Sequence, residues 1–286
     1  MRYNIIIICC LFTLYCCKSS ILKEKDKTIQ IKIVGSETIY PLLKLEVEEF
    51  SKKNNSYKIN ISGGGSNVGI KSLLNGTTDI AMSSRKLTDV EIEEFRKSNK
   101  NIIIKKIAFD ALSVIVNKTN KVRNLTKQNL KDIFTGKIDN WKNLGGANCE
   151  ILICSRESSS GSYEYFKEKV LDGEGYSSKI LKTKISQAII QLVSLKPGAI
   201  GYVGIAQIRP TIQPVSIVLD DSFNFIYPSI SNLSQDKYPL KRPLFLIYER
   251  KNSLKLTKML KFIESSKGQE IISIVGYCKL NKHREN

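Results

Sequence analysis

The chain has 286 residues, a length that suggests about two domains, with 42% hydrophobic and 25% charged residues, the ordinary balance of a globular protein. Lys and Arg number 45 against 27 Asp and Glu, a formal net charge of +18. These values exclude wholesale disorder, a collagen-like chain and a polytopic membrane protein, and a single His excludes a multi-histidine metal site.

At the amino end, Arg2 precedes an apolar run over residues 5–15. That run is too short for a helix across a bilayer, which takes about 20 residues, and has the length of a secretory signal's apolar region. It ends at Cys16 and Cys17 instead of a small-residue cleavage site, and so resembles a bacterial lipoprotein signal. Cys17 fits the lipidated position best, with Cys16 as the alternative. Residues 1–16 are therefore expected to be a signal peptide, and residues 17–27 a polar tether between a palmitate-bearing anchor and the fold. An uncleaved anchor or a plain secretion signal is the competing reading. Cys149, Cys154 and Cys278 lie beyond this segment. Cys149 and Cys154 flank a predicted strand and, extended, stand about 16 Å apart, beyond a disulfide's reach. Three buried or free thiols are expected, and no spacing suits a metal.

The body alternates strands and helices. Residues 28–34 (TIQIKIV) alternate apolar and polar and run into Gly35, a strand and turn. From Pro41, which suits a first helical turn, Leu42, Leu43, Val47 and Phe50 recur at helical spacing. Residues 57–61 predict a second strand leading into Gly63-Gly64-Gly65-Ser66, then a short helix over 68–75. Residues 78–82 predict a third strand, which ends at Ser83-Ser84-Arg85. A helix follows over 88–98, opened by Thr88 with Glu91 three residues on, a capping box. Residues 102–108 and 111–116 are two β runs. A second unit continues with helix 126–134, strand 151–154, helices 161–171 and 186–195, strands 199–203 and 243–248, and a basic amphipathic helix over 254–265. This order predicts an α/β fold with largely parallel sheets. The late helix has no strands after it and is expected to pack back on the first unit.

Three loops share one design: Gly35-Ser36-Glu37-Thr38, Gly65-Ser66-Asn67 and Ser160-Gly161-Ser162. Each joins a strand to a helix and is rich in Gly, Ser and Thr. Such loops bare backbone N–H groups at a helix amino terminus, where the helix dipole favours an anion. In open α/β sheets they lie at the carboxyl ends of strands, where ligands bind. Any one of them alone is more simply an ordinary N-cap. Three together, with Arg85 and Arg156 beside strand ends, point to an oxyanion, which a planar guanidinium fork matches. A nucleotide site finds no support: GxxxxGK[ST] is missing, and GGGSNVG does not give GxGxxG. GxSxG is also missing, and the single His, His283, lies in a polar tail, so nucleophile–His catalysis has no basis.

The motifs, in order, are GSETIYPLL (35–43), GGGSNVGIKSLLNGTTDIAMSSR (63–85), IAFDALSVIVN (107–117), LKDIFTGKIDNWKNLGG (130–146), SRESSSGSYEYF (155–166), PGAIGYVGI (197–205), YPLKRPLFLIY (238–248) and GQEIISIVGY (268–277). In order and spacing they resemble the phosphate-binding lipoproteins of bacterial Pst-type ABC transporters, over about residues 30–280. The resemblance implies a two-lobed periplasmic-binding-protein clamshell hinged on two crossover strands, near 109–116 and 242–248. Lobe I is then residues 28–110 and 242–286, and lobe II residues 111–241. Inorganic phosphate is expected in the cleft. Ser36, Thr38 and Ile39 (through its N–H) match the first anion loop, Ser66 the second, and Arg156, Ser160, Gly161 and Ser162 the third. The implied protein is not an enzyme and needs no cofactor or metal. It is a lipid-anchored, periplasmic monomer at the cell membrane that serves ABC permease subunits and binds no nucleic acid.

Two departures bear on specificity. Some members of the family carry Asp at Ser84 and at Ser158, and the first of these accepts the proton of monohydrogen phosphate. Here Ser84 and Arg85 occupy the strand end, and Arg85 is expected to supply charge that Asp-bearing relatives lack. Asp79 and Asp110 are candidate acceptors, with strand-end structural hydrogen bonds the simpler role for both. The charge of +18 is read first as Lys-rich composition, with anion steering or a lipid-facing stripe of Lys255, Lys258 and Lys261 as rivals. The rival functions are a phosphate-ester hydrolase on the same scaffold and a basic surface adhesin or sensor.

Overall fold

A computed structural model describes residues 28–220 and 224–280. The expected signal, Cys17 and His283 fall outside these residues. The first unit runs β1 (Ile29–Gly35), α1 (Tyr40–Ser51), β2 (Tyr57–Gly64), α2 (Ser66–Leu74), β3 (Ile80–Ser83), α3 (Asp89–Lys97) and β4 (Ile102–Asn117). β1 pairs in parallel with both β2 and β3, as strands joined by helical crossovers must. Thr88 caps α3 with a complete capping box to Glu91.

The middle of the chain adds β5 (Asn124–Thr126), α4 (Lys127–Thr135), β6 (Leu152–Arg156), α5 (Gly161–Lys169), β7 (Leu181–Thr183), α6 (Ser186–Leu195) and β8 (Ala199–Gly204). Three short elements follow: β9 (Ile212–Pro214), β10 (Ser216–Val218) and α7 (Ile230–Ser234). The chain then returns through β11 (Lys241–Glu249) to α8 (Ser253–Glu264) and α9 (Ser266–Val275).

The main sheet has the order β2-β1-β3-β11-β4-β8-β6-β7, with β9 also on β4. Its pivot is β4. The two expected β runs are one 16-residue strand, about 50 Å long at the usual rise. Its first part pairs antiparallel with β11, and residues 112–116 pair antiparallel with β8. One strand thus belongs to both halves of the sheet, and β11 lies beside it. A third segment reaches the same place, because Cys278 and Phe109 exchange backbone hydrogen bonds of 2.8 and 2.9 Å.

The buried side chains form separate cores. One gathers Ile31 and Ile33 of β1, Leu42 and Leu43 of α1, Leu246 of β11 and Met259 and Ile263 of α8. Another gathers Val114 of β4, Phe134 of α4, Phe166 of α5, Tyr202 of β8 and the single Trp, Trp141. Two smaller clusters complete the packing, and the two main cores, linked by the continuous β4, make a two-lobed architecture. α9 was not expected: Ser265, extended at ψ 164° and bonded to the Gly268 N–H, breaks the late helical stretch into two helices. Cys149, Cys154 and Cys278 are free thiols. No helix among the described residues is long and apolar enough to cross a membrane.

Candidate functional site

The three anion loops leave the carboxyl ends of parallel strands, β1, β2 and β6, and two of them enter helices directly. In the first, the Ser36 Oγ accepts the Thr38 N–H at 3.2 Å, which folds the loop into a tight turn. The Ile39 N–H donates to the Ser36 carbonyl at 3.1 Å and its side chain is fully buried. The expected donor at Ile39 is therefore spent within the turn. In the third loop Ser160 caps α5 by accepting the Ser162 N–H at 3.2 Å. The second loop ends on Gly65 at φ 100°, so that Ser66 opens α2. First-turn N–H groups of α2 and α5 have no intrahelical acceptor.

Loops from the two lobes meet. Ser66 Oγ lies 3.4 Å from Ser84 Oγ and accepts the Ser84 N–H at 3.1 Å. A Cβ on Gly161, at the opposite lobe's helix start, would fall 2.3 Å from Ser66 Oγ and 2.8 Å from Ser84 Oγ. Only glycine lets α5 come this close. The Asn67 N–H and side-chain amide donate to Ser159 O (3.1 Å) and Ser158 O (2.9 Å), so the lobes are latched by direct hydrogen bonds. A Cβ on Gly65 would lie 2.3 Å from the same Ser159 carbonyl.

The arginines behave differently from one another. Arg156, 2% exposed, donates to the Lys184 carbonyl (2.5 Å) and to Ser186 Oγ (3.2 Å), and its Nε is buried without a partner. Burial pulls its pKa below the ordinary value, with the nearby Glu37 carboxylate opposing that shift. Arg85 departs from expectation. Its Nε and Nη2 go to Asn67 Oδ1 (3.3 and 2.6 Å), both Nη atoms to Glu91 (2.6 and 2.8 Å) and Nη1 also to the Lys86 carbonyl. All five N–H groups have protein acceptors, so the structure uses Arg85 to hold Asn67, not to offer a free fork. Glu91 serves both Arg85 and the α3 cap; burial pushes its pKa up, but the hydrogen bonds and charge of Arg85 together with the Thr88 N–H outweigh it and hold the carboxyl below its ordinary value.

Arg242 was not singled out from the sequence. It is fully buried on β11, opposite Asp110 of β4 in the antiparallel register. Its Nε and Nη2 donate to Asp110 Oδ2 at 3.0 and 2.7 Å, while the Ile205 N–H reaches Asp110 Oδ1 at 3.1 Å. Burial raises the Asp110 pKa, with Arg242 and backbone N–H groups pulling it back. Arg242 also donates to Ser162 Oγ at 2.8 Å and Thr38 Oγ1 at 3.2 Å. Asp79 is an outer structural group that accepts the Lys32 N–H (2.9 Å) and Lys255 Nζ (2.7 Å). That contact also pairs one Lys of the basic stripe weighed as a rival reading of the net charge.

A groove of about 1170 Å³ runs beside this cluster and touches it at Asn67, Arg85 and Arg242. Its walls mix Lys86 and Lys169 with Glu164 and Glu168, which gives it no single preference for an anion. The hydroxyl cluster, in contrast, gathers donors from Ser66, Ser84 and the start of α5. No group of three or more His, Cys, Asp or Glu residues with metal-holding geometry occurs among the described residues.

Comparisons with known proteins bear on the family and the fold. Residues 23–267 match the profile of a PBP superfamily domain. A protein of Borreliella burgdorferi named "Phosphate-binding protein PstS" is 34% identical, covering 97% of this chain and 98% of that one. The protein of the same name from Staphylococcus epidermidis is 31% identical over 86% of this chain and 77% of its own. Among solved structures, a substrate-binding protein from Clostridium perfringens with bound phosphate superposes with TM-score 0.78 at 30% identity, covering 88% of this chain and all of that one. An ABC-type phosphate transport receptor from Vibrio cholerae gives TM-score 0.72 at 26% identity, over 87% of this chain and all of its own.

Proposed function

The chain belongs to the PstS family of phosphate-binding proteins, and we infer that it binds inorganic phosphate between its lobes and delivers it to an ABC permease for uptake. It binds its ligand without turning it over. One observation carries this reading: a buried arginine with an unpartnered Nε, Arg156, accompanies hydroxyl and helix-start donors that converge from both lobes. Burying an unpaired polar group costs about 1–3 kcal/mol, a cost that an anion in the cleft removes. Donors held in place ahead of binding suit a compact, multiply charged oxyanion.

In this reading Ser36, Thr38, Ser66 and Ser84 contact phosphate from lobe I, taken as residues 28–110 and 242–286. Arg156, Ser160, Gly161 and Ser162 contact it from lobe II, taken as residues 111–241. Arg85 acts one step back, through Asn67 and the latch. Phosphate contacts both lobes only when they are closed, so binding favours the closed state. With export through the signal at residues 1–16 and lipidation at Cys17, the protein is a periplasmic monomer anchored at the cell membrane. Palmitate labelling of the intact chain, lost in Cys17→Ser, tests that placement.

The decisive test is calorimetric titration of the protein, refolded to strip bound anion, with phosphate and with sulfate as competitor. The expected result is tight one-to-one phosphate binding that equal sulfate does not displace. Steady release of phosphate from an ester would replace the receptor with a hydrolase.

A further inference from the structure

Arg242 sits where the chain passes between lobes, and its guanidinium reaches both. Nε and Nη2 are held by Asp110, Nη2 also donates to Thr38 Oγ1, and Nη1 donates to Ser162 Oγ. Thr38 belongs to the loop after β1 and Ser162 to the first turn of α5, so the fork spans the cleft. A hydroxyl carries one proton and two acceptor sites. A guanidinium has no lone pair to accept that proton. A hydroxyl oxygen that receives an arginine N–H must therefore send its own proton elsewhere. Among the described residues, neither the Thr38 nor the Ser162 hydroxyl has a protein acceptor for its proton. Both side chains are buried, at 2% and 4% exposure, so bulk water is not the acceptor either.

We propose that Arg242 is a positioning residue of the phosphate site, turning the hydroxyls of Thr38 and Ser162, one from each lobe, into fixed donors aimed at the anion. The proposal rests on the reading that this cleft holds phosphate. Asp110 lies opposite and takes two of the N–H groups, which fixes the plane of the fork and cancels its charge. The contribution of Arg242 is thus direction more than net charge. A free hydroxyl rotor must be ordered when the anion arrives, whereas one already turned by Arg242 is not, the advantage of preorganised donors. The same fork also ties binding to closure. It holds Thr38 and Ser162 together only when the lobes meet, the state that the anion itself favours.

The test is a double-mutant cycle read by phosphate titration calorimetry on the refolded protein. Arg242→Lys keeps a cation beside Asp110 but cannot fork to two hydroxyls. It is expected to weaken phosphate binding about tenfold or more in the wild-type background. In a Thr38→Val/Ser162→Ala background the same change is expected to cost less than about twofold, because the groups it acts through are gone. Equal losses in the two backgrounds, or no loss in either, would overturn the proposal. The pair Asp110→Leu/Arg242→Met removes both buried charges together, which cores commonly tolerate, and guards against a folding failure of the single variant. This pair is expected to show the same weakening, and wild-type affinity in it would equally sink the proposal. Absence of phosphate binding by the wild-type protein would instead remove the phosphate reading and this inference with it.

Discussion

Arg85 and Arg156 stand in matching places on the two walls of the cleft. Each lies at or just past the carboxyl end of a parallel strand, β3 or β6, and each is buried, at 7% and 2% exposure. Yet Arg85 is neutralised by Glu91 and spends every N–H on protein acceptors. Arg156 has only a carbonyl and a serine hydroxyl, and keeps an unpartnered Nε. A satisfied buried arginine offers a ligand little directly and acts through the groups it holds, as Arg85 holds Asn67. An unsatisfied one persists only where something offsets its cost, which makes it the better marker of a binding site.

The largest expected effect follows from this difference. Arg156→Met removes the unpaired cation and its charge-assisted hydrogen bonds, each worth about 1.5–3 kcal/mol. Phosphate affinity should fall at least about a hundredfold by calorimetry, while the anion-free protein melts no lower than wild type. Arg85→Met should show the reverse pattern. It leaves Glu91 unpaired and lowers the melting temperature, yet it weakens phosphate binding only a fewfold, through a looser Asn67 latch. If the two variants exchanged these patterns, the assignment of roles to the two arginines would be wrong.

Gly65→Ala separates charge from closure. It keeps both arginines but puts a Cβ 2.3 Å from the Ser159 carbonyl of the facing lobe, at φ 100°. Affinity should drop roughly tenfold or more, from the steric block and the roughly 1–3 kcal/mol cost of a side chain at positive φ and extended ψ, a conformation open almost only to glycine. Small-angle scattering should show the variant failing to compact on adding phosphate, whereas Arg156→Met should compact whenever saturating phosphate is reached. Compaction of Gly65→Ala to the wild-type extent would show that closure does not need the bare Gly65 backbone.

The same contrast explains what was legible in the sequence. The three loops were, because Gly, Ser and a following helical pattern are neighbours in the chain. Arg156 was found through its neighbours Ser160, Gly161 and Ser162. Arg242 was missed because its meaning depends on Asp110, 132 residues away, and on a strand register that no local pattern reveals. In YPLKRPLFLIY it reads as a charged flank on a β run. Its signal is the adjacent charges Lys241 and Arg242 beside an apolar run, matched by Asp110, the one charge within IAFDALSVIVN. Arg85 was located but not its partners, since Glu91 already had a local role in the α3 cap. The strands β5, β7, β9 and β10 have three residues each, too few to show a period.

Glu46 supplies the control for the rule drawn from the two arginines. It is 1% exposed on α1, both carboxylate oxygens lack partners, and it shares the helix's buried face with Leu42, Leu43 and Phe50. Those neighbours belong to a lobe core that also holds Ile39 of the first anion loop, but Glu46 lies six residues beyond the start of α1 and no donor reaches its carboxylate. Desolvation raises its pKa well above the ordinary value of 4.5, so the folded protein keeps the proton where the unfolded chain has lost it. The folded state then binds more protons, and stability falls as pH rises from the unfolded pKa toward the folded one. Glu46→Leu removes that slope. Urea melts should show the variant more stable by about 1–3 kcal/mol near pH 8, with a smaller gain near pH 5. Its phosphate affinity should stay within twofold of wild type. A gain of the same size at both pH values would mean that Glu46 titrates normally, and a large loss of phosphate binding would tie it to the cleft after all. The smallest effect on binding thus tests the rule most directly: an unpartnered buried charge marks a ligand site only where donors from both lobes surround it.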